Sequence, residues 1–284
     1  MPKIAVIIVG IILFLIVSFI MVAFLADFLF NLKVDREINA LLAKRIDNDD
    51  IVKQEDLDKL PSPVQRWLEN SQVVGKDSVR DVRLKQTGVM RTEPDKPWMS
   101  FKAEQYFVTE NPGFIWKAKI NVAPMFHISG RDKYDEGKGN MLIKVLSLIT
   151  LGDATGEEID QGTMLRYLAE MMWFPAAALN DYIQWEAVDE RSAKATMSYK
   201  GVTASAIFLF DENGDIASFS AKRYGDFGGQ FSLETWSGSV KEIKVIDGIR
   251  IPTQGEVTWE LEAGDFTWLK WEITEIEYNN PTVY

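Results

Sequence analysis

The run IAVIIVGIILFLIVSFIMVAFLA, Ile4 to Ala26, holds 23 residues without a charge. As a helix it is about 34 Å long, enough to cross a hydrocarbon core of about 30 Å. A cleaved signal peptide has a shorter apolar stretch ending in a small-residue site. Here Phe24, Leu25, Asp27 and Phe28 surround Ala26, which makes a poor cleavage site. The sequence therefore predicts an uncleaved, single-pass cell-membrane anchor over residues 1–30. Two cues to orientation conflict. Lys33, Arg36, Lys44 and Arg45 follow the span while Lys3 precedes it, a basic-residue balance that puts the rest of the chain in the cytoplasm. A three-residue leading tail is instead that of a signal-anchor, which leaves the large domain outside the cytoplasm. The expectation adopted is extracytoplasmic.

Charge and cysteine content then exclude several functions. A net charge of −11 argues against a nucleic-acid partner, because phosphate binding needs a concentrated basic surface. With no cysteine there is no disulfide, thiolate nucleophile or sulfur-ligated metal. No cofactor is expected. Sixteen phenylalanines and nine tryptophans favour a β-rich core or an aromatic-lined cavity.

Residues 31–74 read as a helical juxtamembrane segment. Ile38, Leu41, Leu42 and Arg45 share a helix face, and Ser62 is the expected N-cap of a short helix that holds Pro63 in its first turn. From residue 75 the pattern becomes strand-like. Met99, Phe101 and Ala103 alternate, as do Leu269, Trp271 and Ile273. Asn213-Gly214 and Asp247-Gly248 mark hairpin turns. Gly137 and Gly139 suggest a tight turn. Strands in hairpins without βαβ alternation predict an α+β, mainly antiparallel fold. Its form is a curved sheet or half-barrel over residues 75–284, with helices on the concave face. A helical insertion is expected at about 142–180, as helices near 142–149 and 162–180. Thr163 is the expected N-cap of the second, and Pro175 should kink it or begin a new turn.

Chemistry-bearing motifs are few. His127 is the single histidine and no G-x-S-x-G elbow accompanies it, so a polar strand position is the simpler reading. Counting Asp132 as the first position of a calcium loop puts Tyr134 third and Ile143 twelfth, where ligands are required. The match fails there. The stretch RYLAEMMWFPAAAL, Arg166 to Leu179, is more informative. Arg166 and Glu170 lie four apart inside an apolar helix, whose Leu165, Leu168, Ala169, Met172 and Trp173 cover most of its circumference. Such a helix packs on two sides or lines a cavity. Arg166 then needs Glu170, and Asp132 or Tyr134, as partners. Arg166, Tyr167, Glu170, Trp173, Asp132 and Tyr134 form the candidate ligand-binding set.

The segments LPSPVQRWL, RLKQTGVMR, W-x-x-F-x-A-x-Q-x-F, DKYDEGKGNM and RYLAE-x-x-W-x-P-x-A resemble a bacterial family of uncharacterised, membrane-anchored proteins. The resemblance spans roughly residues 60–284 and implies topology rather than a reaction. The hairpin VIDGIRIPTQGEV also resembles the late strands of the lipoprotein-carrier fold, a curved sheet closed by helices around an apolar cavity. That resemblance implies acyl chains or other lipids as ligands. The expected function is a membrane-anchored envelope protein that binds a hydrophobic or lipid-like ligand. The alternatives are a structural or interaction module without a cavity, and a hydrolase using Asp132, Arg166 and Glu170.

Overall fold

The computed structural model describes residues 2–47 and 50–284. Its first element, α1 (Pro2–Leu42), does not stop where the apolar run stops. It continues as one helix far beyond Ala26, because no Pro or Gly breaks residues 27–42 and Phe30, Val34, Ile38, Leu41 and Leu42 bury one face of it. Two short helices follow, α2 (Gln54–Leu57) and α3 (Ser62–Asn70). Ser62 is the first helical residue rather than the cap. Pro61 stands at the cap position, and no side chain closes that end.

The remainder is a sheet of 13 antiparallel strands. The first group is β1 (Asp81–Met90), β2 (Met99–Val108), β3 (Gly113–Ala123), β4 (Phe126–Asp135), β5 (Lys138–Val145) and β6 (Ile149–Ala154). The second is β7 (Ile183–Ala187), β8 (Ser192–Tyr199), β9 (Val202–Phe210), β10 (Ile216–Asp226), β11 (Phe231–Ile246), β12 (Ile249–Leu261) and β13 (Gly264–Tyr278). Each group is a meander. They join where β1 pairs with β13, so β6 and β7 are the two edges of one curled half-barrel. Two-residue turns with both φ positive connect several hairpins: Glu136-Gly137, Lys200-Gly201 and Asp247-Gly248. This backbone sign matches strand twist and favours glycine at the second position. At Asn213-Gly214 the loop is longer, and the Asp211 carboxylate accepts the backbone N–H groups of Asn213 and Asp215.

Between the two meanders the chain enters the hollow of the sheet as α4 (Glu157–Glu170), continued by 3-10 turns at Met171–Trp173 and Pro175–Leu179. This corrects three expectations. The helix begins at Glu157, not near 162, and Thr163 lies inside it, its hydroxyl donating to the carbonyls of Ile159 and Asp160. Regular α-helix ends at Glu170, well short of 180, and Pro175 begins a new turn, the second of the two outcomes expected for it. Residues 142–149 are not helical: Leu142 to Val145 belong to β5, and Ile149 begins β6. The misreading has a physical cause. Leu142 is buried beneath α1 while Met141 and Ile143 face the cavity side, so three consecutive apolar residues hide the strand alternation.

The second half of α1 lies on the convex face. Phe30, Val34, Ile38, Leu41 and Leu42 pack against Tyr106, Val108, Ile115 and Leu142. Ion pairs border this seam: Asp27 with Lys119 (3.2 Å), Asp35 with Lys117 (2.9 Å), Glu37 with Arg131 (3.1 Å) and Asp135 with Lys44 (2.6 Å). Half-exposed pairs contribute at most about 1 kcal/mol each, against about 1.5–3 kcal/mol for each buried large aliphatic or aromatic side chain. The apolar stripe holds the helix, and the charges set its register.

Candidate functional site

The inner faces of the strands and one face of α4 enclose a cavity of about 380 Å³. The sheet is hollow beneath the helix, contrary to the alternative of a filled core. Strand alternation decides which residues reach it. Phe101, Trp116, Trp236, Trp259, Trp268 and Trp271 supply much of the wall, and Gly162, Arg166, Ala169, Glu170 and Trp173 come from the helix. Glycines in the wall let rings lie against the backbone. A Cβ on Gly255 would run into the Trp271 indole, and one on Gly238 into the Phe219 ring. Gly139 performs the same service between strand and helix, where a Cβ would meet the Thr163 hydroxyl and the Ile159 carbonyl. There Asp160 accepts the Gly139 N–H (2.7 Å) and pairs with Lys138 (2.8 Å), which fixes the start of α4 to β5.

Across this apolar space runs a row of polar groups. The Trp116 indole donates to Gln86 Oε1 (3.1 Å), and Gln86 Nε2 donates to Gln105 Oε1 (3.2 Å). Gln105 Nε2 donates to Glu170 Oε2 (2.7 Å). Arg166 completes the row, its Nε donating to Glu170 (2.8 Å) and its Nη1 to Asp132 (2.7 Å). The Arg166 guanidinium also lies over the rings of Phe114 (5.1 Å) and Trp116 (4.9 Å). Burial works against its charge, but the attraction of Glu170 and Asp132 outweighs it, and its pKa stays above the ordinary arginine value.

The expected ion pair is therefore present, with Asp132 as the shared partner. Asp132, Arg166, Glu170 and Trp173 all line the cavity. Tyr134 and Tyr167 do not. Tyr167 points to the other side of α4, where its hydroxyl meets the Val108 carbonyl (3.3 Å) and the Tyr182 hydroxyl (3.0 Å). Tyr134 packs on Phe114 and Tyr167, fully buried. Burial raises both phenols above their ordinary pKa, which keeps them neutral.

Sequence reasoning missed Arg223. It projects from β10 onto the rings of Trp236 (4.7 Å) and Trp259 (5.7 Å), and its Nε donates to the Gly162 carbonyl (3.2 Å). Its parity with Phe219 and Ala221 along an alternating strand was the available signal. Burial pushes its guanidinium down to about 10; Arg166 repels it, and Asp132 and Glu170 attract it across the cavity without touching. Other polar atoms here also lack partners. The indole nitrogens of Trp173, Trp236 and Trp268 and the second carboxylate oxygen of Asp132 are buried with no hydrogen-bond partner among the described residues. His127 belongs elsewhere: it contacts Asp27 (3.3 Å), whose carboxylate also accepts from Ser147 (2.9 Å) at the foot of α1. Asp27 thus sits between histidine and serine, so the histidine is not placed to take a proton from that hydroxyl.

No curated protein matches the chain. Among solved structures, a LolA superfamily protein from Nitrosomonas europaea is similar at 9% identity and TM-score 0.42, covering 75% of this chain and 92% of its own. A DUF1329 family protein from Desulfovibrio piger is similar at 11% identity and TM-score 0.44, covering 77% and 92%. Residues 50–271 match the model of a family described as a family of unknown function, DUF6544. With most of its length inside that match, the chain belongs to the DUF6544 family.

Proposed function

We propose that this protein holds a hydrophobic, lipid-like ligand in the cavity beneath α4 while anchored to a membrane by α1. The observation that carries the reading is a space of about 380 Å³ walled by tryptophan and phenylalanine and crossed by a short polar row. Ligand sites run from roughly 300 to 1,000 Å³ and combine apolar walls with a few orienting polar groups. A hydrolase built on Asp132, Arg166 and Glu170 is less well supported. Those three do converge, but both carboxylates are engaged on one guanidinium rather than presented to a substrate.

The rim on which the cavity opens supports the membrane part. Asp27, the first charge after the apolar run, meets His127 beside the β3–β4 turn. Strand register carries that end across the sheet: Asn121 faces Ser100, Met90 faces Met99 and Leu269, and Asp226 faces Phe231. The lining residues Met90, Tyr224, Asp226 and Phe231 therefore stand at the same end of the sheet as Asp27, and Tyr224 and Phe231 are exposed. Val122, Met125 and Phe126 on the same rim are exposed and apolar. With α1 in a bilayer this rim faces the lipid, and a ligand can pass between bilayer and cavity without crossing open water. Following the signal-anchor reading, the sheet lies outside the cytoplasm; a C-terminal reporter active only inside the cytoplasm overturns that side.

Native mass spectrometry tests the ligand. Full-length protein released from mild detergent should carry a co-purified lipid mass, and delipidated protein should take one up. Failure of both, with the fold intact by circular dichroism, defeats the proposal.

A further inference from the structure

The cavity holds two arginines in unlike circumstances. Arg166 is bound by Glu170 and Asp132 at 2.8 and 2.7 Å. Arg223 has no carboxylate within ion-pair distance among the described residues, and only its Nε donates, to the Gly162 carbonyl. Among the described residues its two Nη groups, the end-on edge of the guanidinium fork, have no hydrogen-bond acceptor. That edge suits a carboxylate, which accepts two parallel N–H bonds from such a fork. Gly162 eases the close approach, since a Cβ there would stand 3.3 Å from Arg223 Nε. Beneath the guanidinium lies Trp236, 4% exposed, its indole N–H without an acceptor, and Trp173, 2% exposed, leaves a second such donor in the same cavity. A cation and indole donors left unmatched in an apolar space are costly unless something absent from the chain accepts from them.

Resting on the lipid-like ligand reading, we propose that the ligand is an amphiphile with one carboxylate head, such as a long-chain fatty acid, and that Arg223 binds that head. Charge favours a monoanion. The charged lining residues are Arg131, Arg166 and Arg223 against Asp132, Glu158, Glu170 and Asp226, a net −1, so a carboxylate brings the lining to −2 and a phosphate dianion to −3. Position agrees: Arg223 is three residues from Asp226 at the rim, so the head sits near the mouth and the tail lies among Phe101, Trp259 and Trp271.

Brominated acyl chains quench tryptophan at contact, and the wall provides the reporters. Full-length protein in lipid nanodiscs at pH 8 is titrated with 9,10-dibromostearate, its methyl ester and a brominated alkyl phosphate, for the parent and for Arg223→Gln. Partition into the nanodisc cancels in the ratio of acid to ester affinity between proteins. The parent should prefer acid over ester by about tenfold or more, as a hydrogen bond to a charged group implies. Arg223→Gln should cut that preference to about twofold while keeping ester binding. Equal binding of acid and ester by the parent, once each is corrected for its partition into protein-free nanodiscs, overturns the assignment, whatever the variant does. So does a preference that survives in the variant, or stronger binding of the phosphate. Arg223→Lys, which keeps the charge, should retain part of the preference; if Arg223→Gln does not fold, Arg223→Lys binding acid no better than ester overturns it instead. Absence of quenching by all three probes marks failure of the lipid-like reading itself, a different result from ester binding without acid preference.

Discussion

Replacing Arg166 by methionine keeps an apolar stem of similar length and removes the charge. Asp132 and Glu170, with side chains 10% and 12% exposed, are left facing each other's field in an apolar enclosure. Stranding a buried ion by deleting its partner costs about 3–5 kcal/mol. For a body of this size 1 kcal/mol moves the melting temperature by about 2–4 °C, so Arg166→Met should melt about 10 °C or more below the parent. Nine tryptophans make intrinsic fluorescence in detergent a direct readout. Lys194, whose partner Glu186 is 68% exposed, is the control: Lys194→Met should cost under about 1 kcal/mol. Neutralising the whole group, as Arg166→Met with Asp132→Asn and Glu170→Gln, should recover most of the loss, because a buried ion pair adds little net stability over neutral replacements. An Arg166→Met protein that melts within about 2 °C of the parent refutes the argument. The pair would then be solvated, and the helix would owe its place to apolar packing alone.

Other consequences follow from burial and from the rim. Tyr106, Tyr134 and Tyr167 are fully buried with raised phenol pKa values. The unfolded chain loses those protons first, so stability is full below about pH 10. Above it stability should fall by at least about 4 kcal/mol per pH unit, the share of these three, until the folded phenols themselves ionise. Tyr182 and Tyr278, also raised by burial, add to that slope. Absorbance from the buried phenols should therefore rise only in step with unfolding, and ionisation of all eight tyrosines in folded protein would contradict it. Gly139→Ala forces a methyl into the Thr163 hydroxyl and the Ile159 carbonyl, an overpacking cost of about 1–3 kcal/mol visible as a lowered urea midpoint. Because the chain has no cysteine, single dyes can be placed at Met125→Cys on the rim and Asp247→Cys at the opposite end of β11. In nanodiscs the first should shift to the blue and the second should not; equal shifts would remove the membrane-facing rim.

How far the sequence disclosed this molecule depended on whether a side chain's partner was local. The two glycine-containing hairpin turns, the alternation at Leu269, Trp271 and Ile273, and the Arg166–Glu170 spacing are short-range patterns, and each was legible. The β5–β6 hairpin was not, because α1 returns to cover Leu142 from outside, a contact set by a helix far away in the chain. Length was misjudged at α4 for a related reason. Its start is fixed by Asp160 accepting from Gly139, a strand residue, rather than by a capping side chain of its own. Tyr134 and Tyr167 were placed with the site because they neighbour Asp132 and Arg166 in sequence. Tyr134 shares the strand face of Asp132 but lies two residues further along, and Tyr167 lies about 100° round the helix from Arg166. The two rings therefore pack on each other, and Tyr134 on Phe114, away from the cavity. Arg223 stands 57 positions from Arg166 (223 − 166) and carries no motif, so only the curl of the sheet brings the two together.

That convergence gives two arginines in one cavity opposite duties, and the contrast can be tested as a pair. Arg166 has its hydrogen-bonding edge occupied by protein carboxylates, so its removal should damage the fold and leave acid-over-ester preference nearly unchanged in whatever protein remains folded at low temperature. Arg223 lacks such a partner, and burial already disfavours its charge. Arg223→Gln removes a cation that the folded state holds at a cost, so the melting temperature should stay level or rise while the preference collapses. Ligand should reverse the order. A carboxylate that binds only the folded protein stabilises it by mass action, about 2.7 kcal/mol at one hundred times its dissociation constant. Saturating fatty acid should thus raise the parent's melting temperature by several degrees and that of Arg223→Gln by much less. If Arg223→Gln instead melts far below the parent, the guanidinium is a structural element bound to Gly162 and the two tryptophans. If Arg166→Met loses the preference as well, the head reaches deeper than the rim and the division between the two arginines fails.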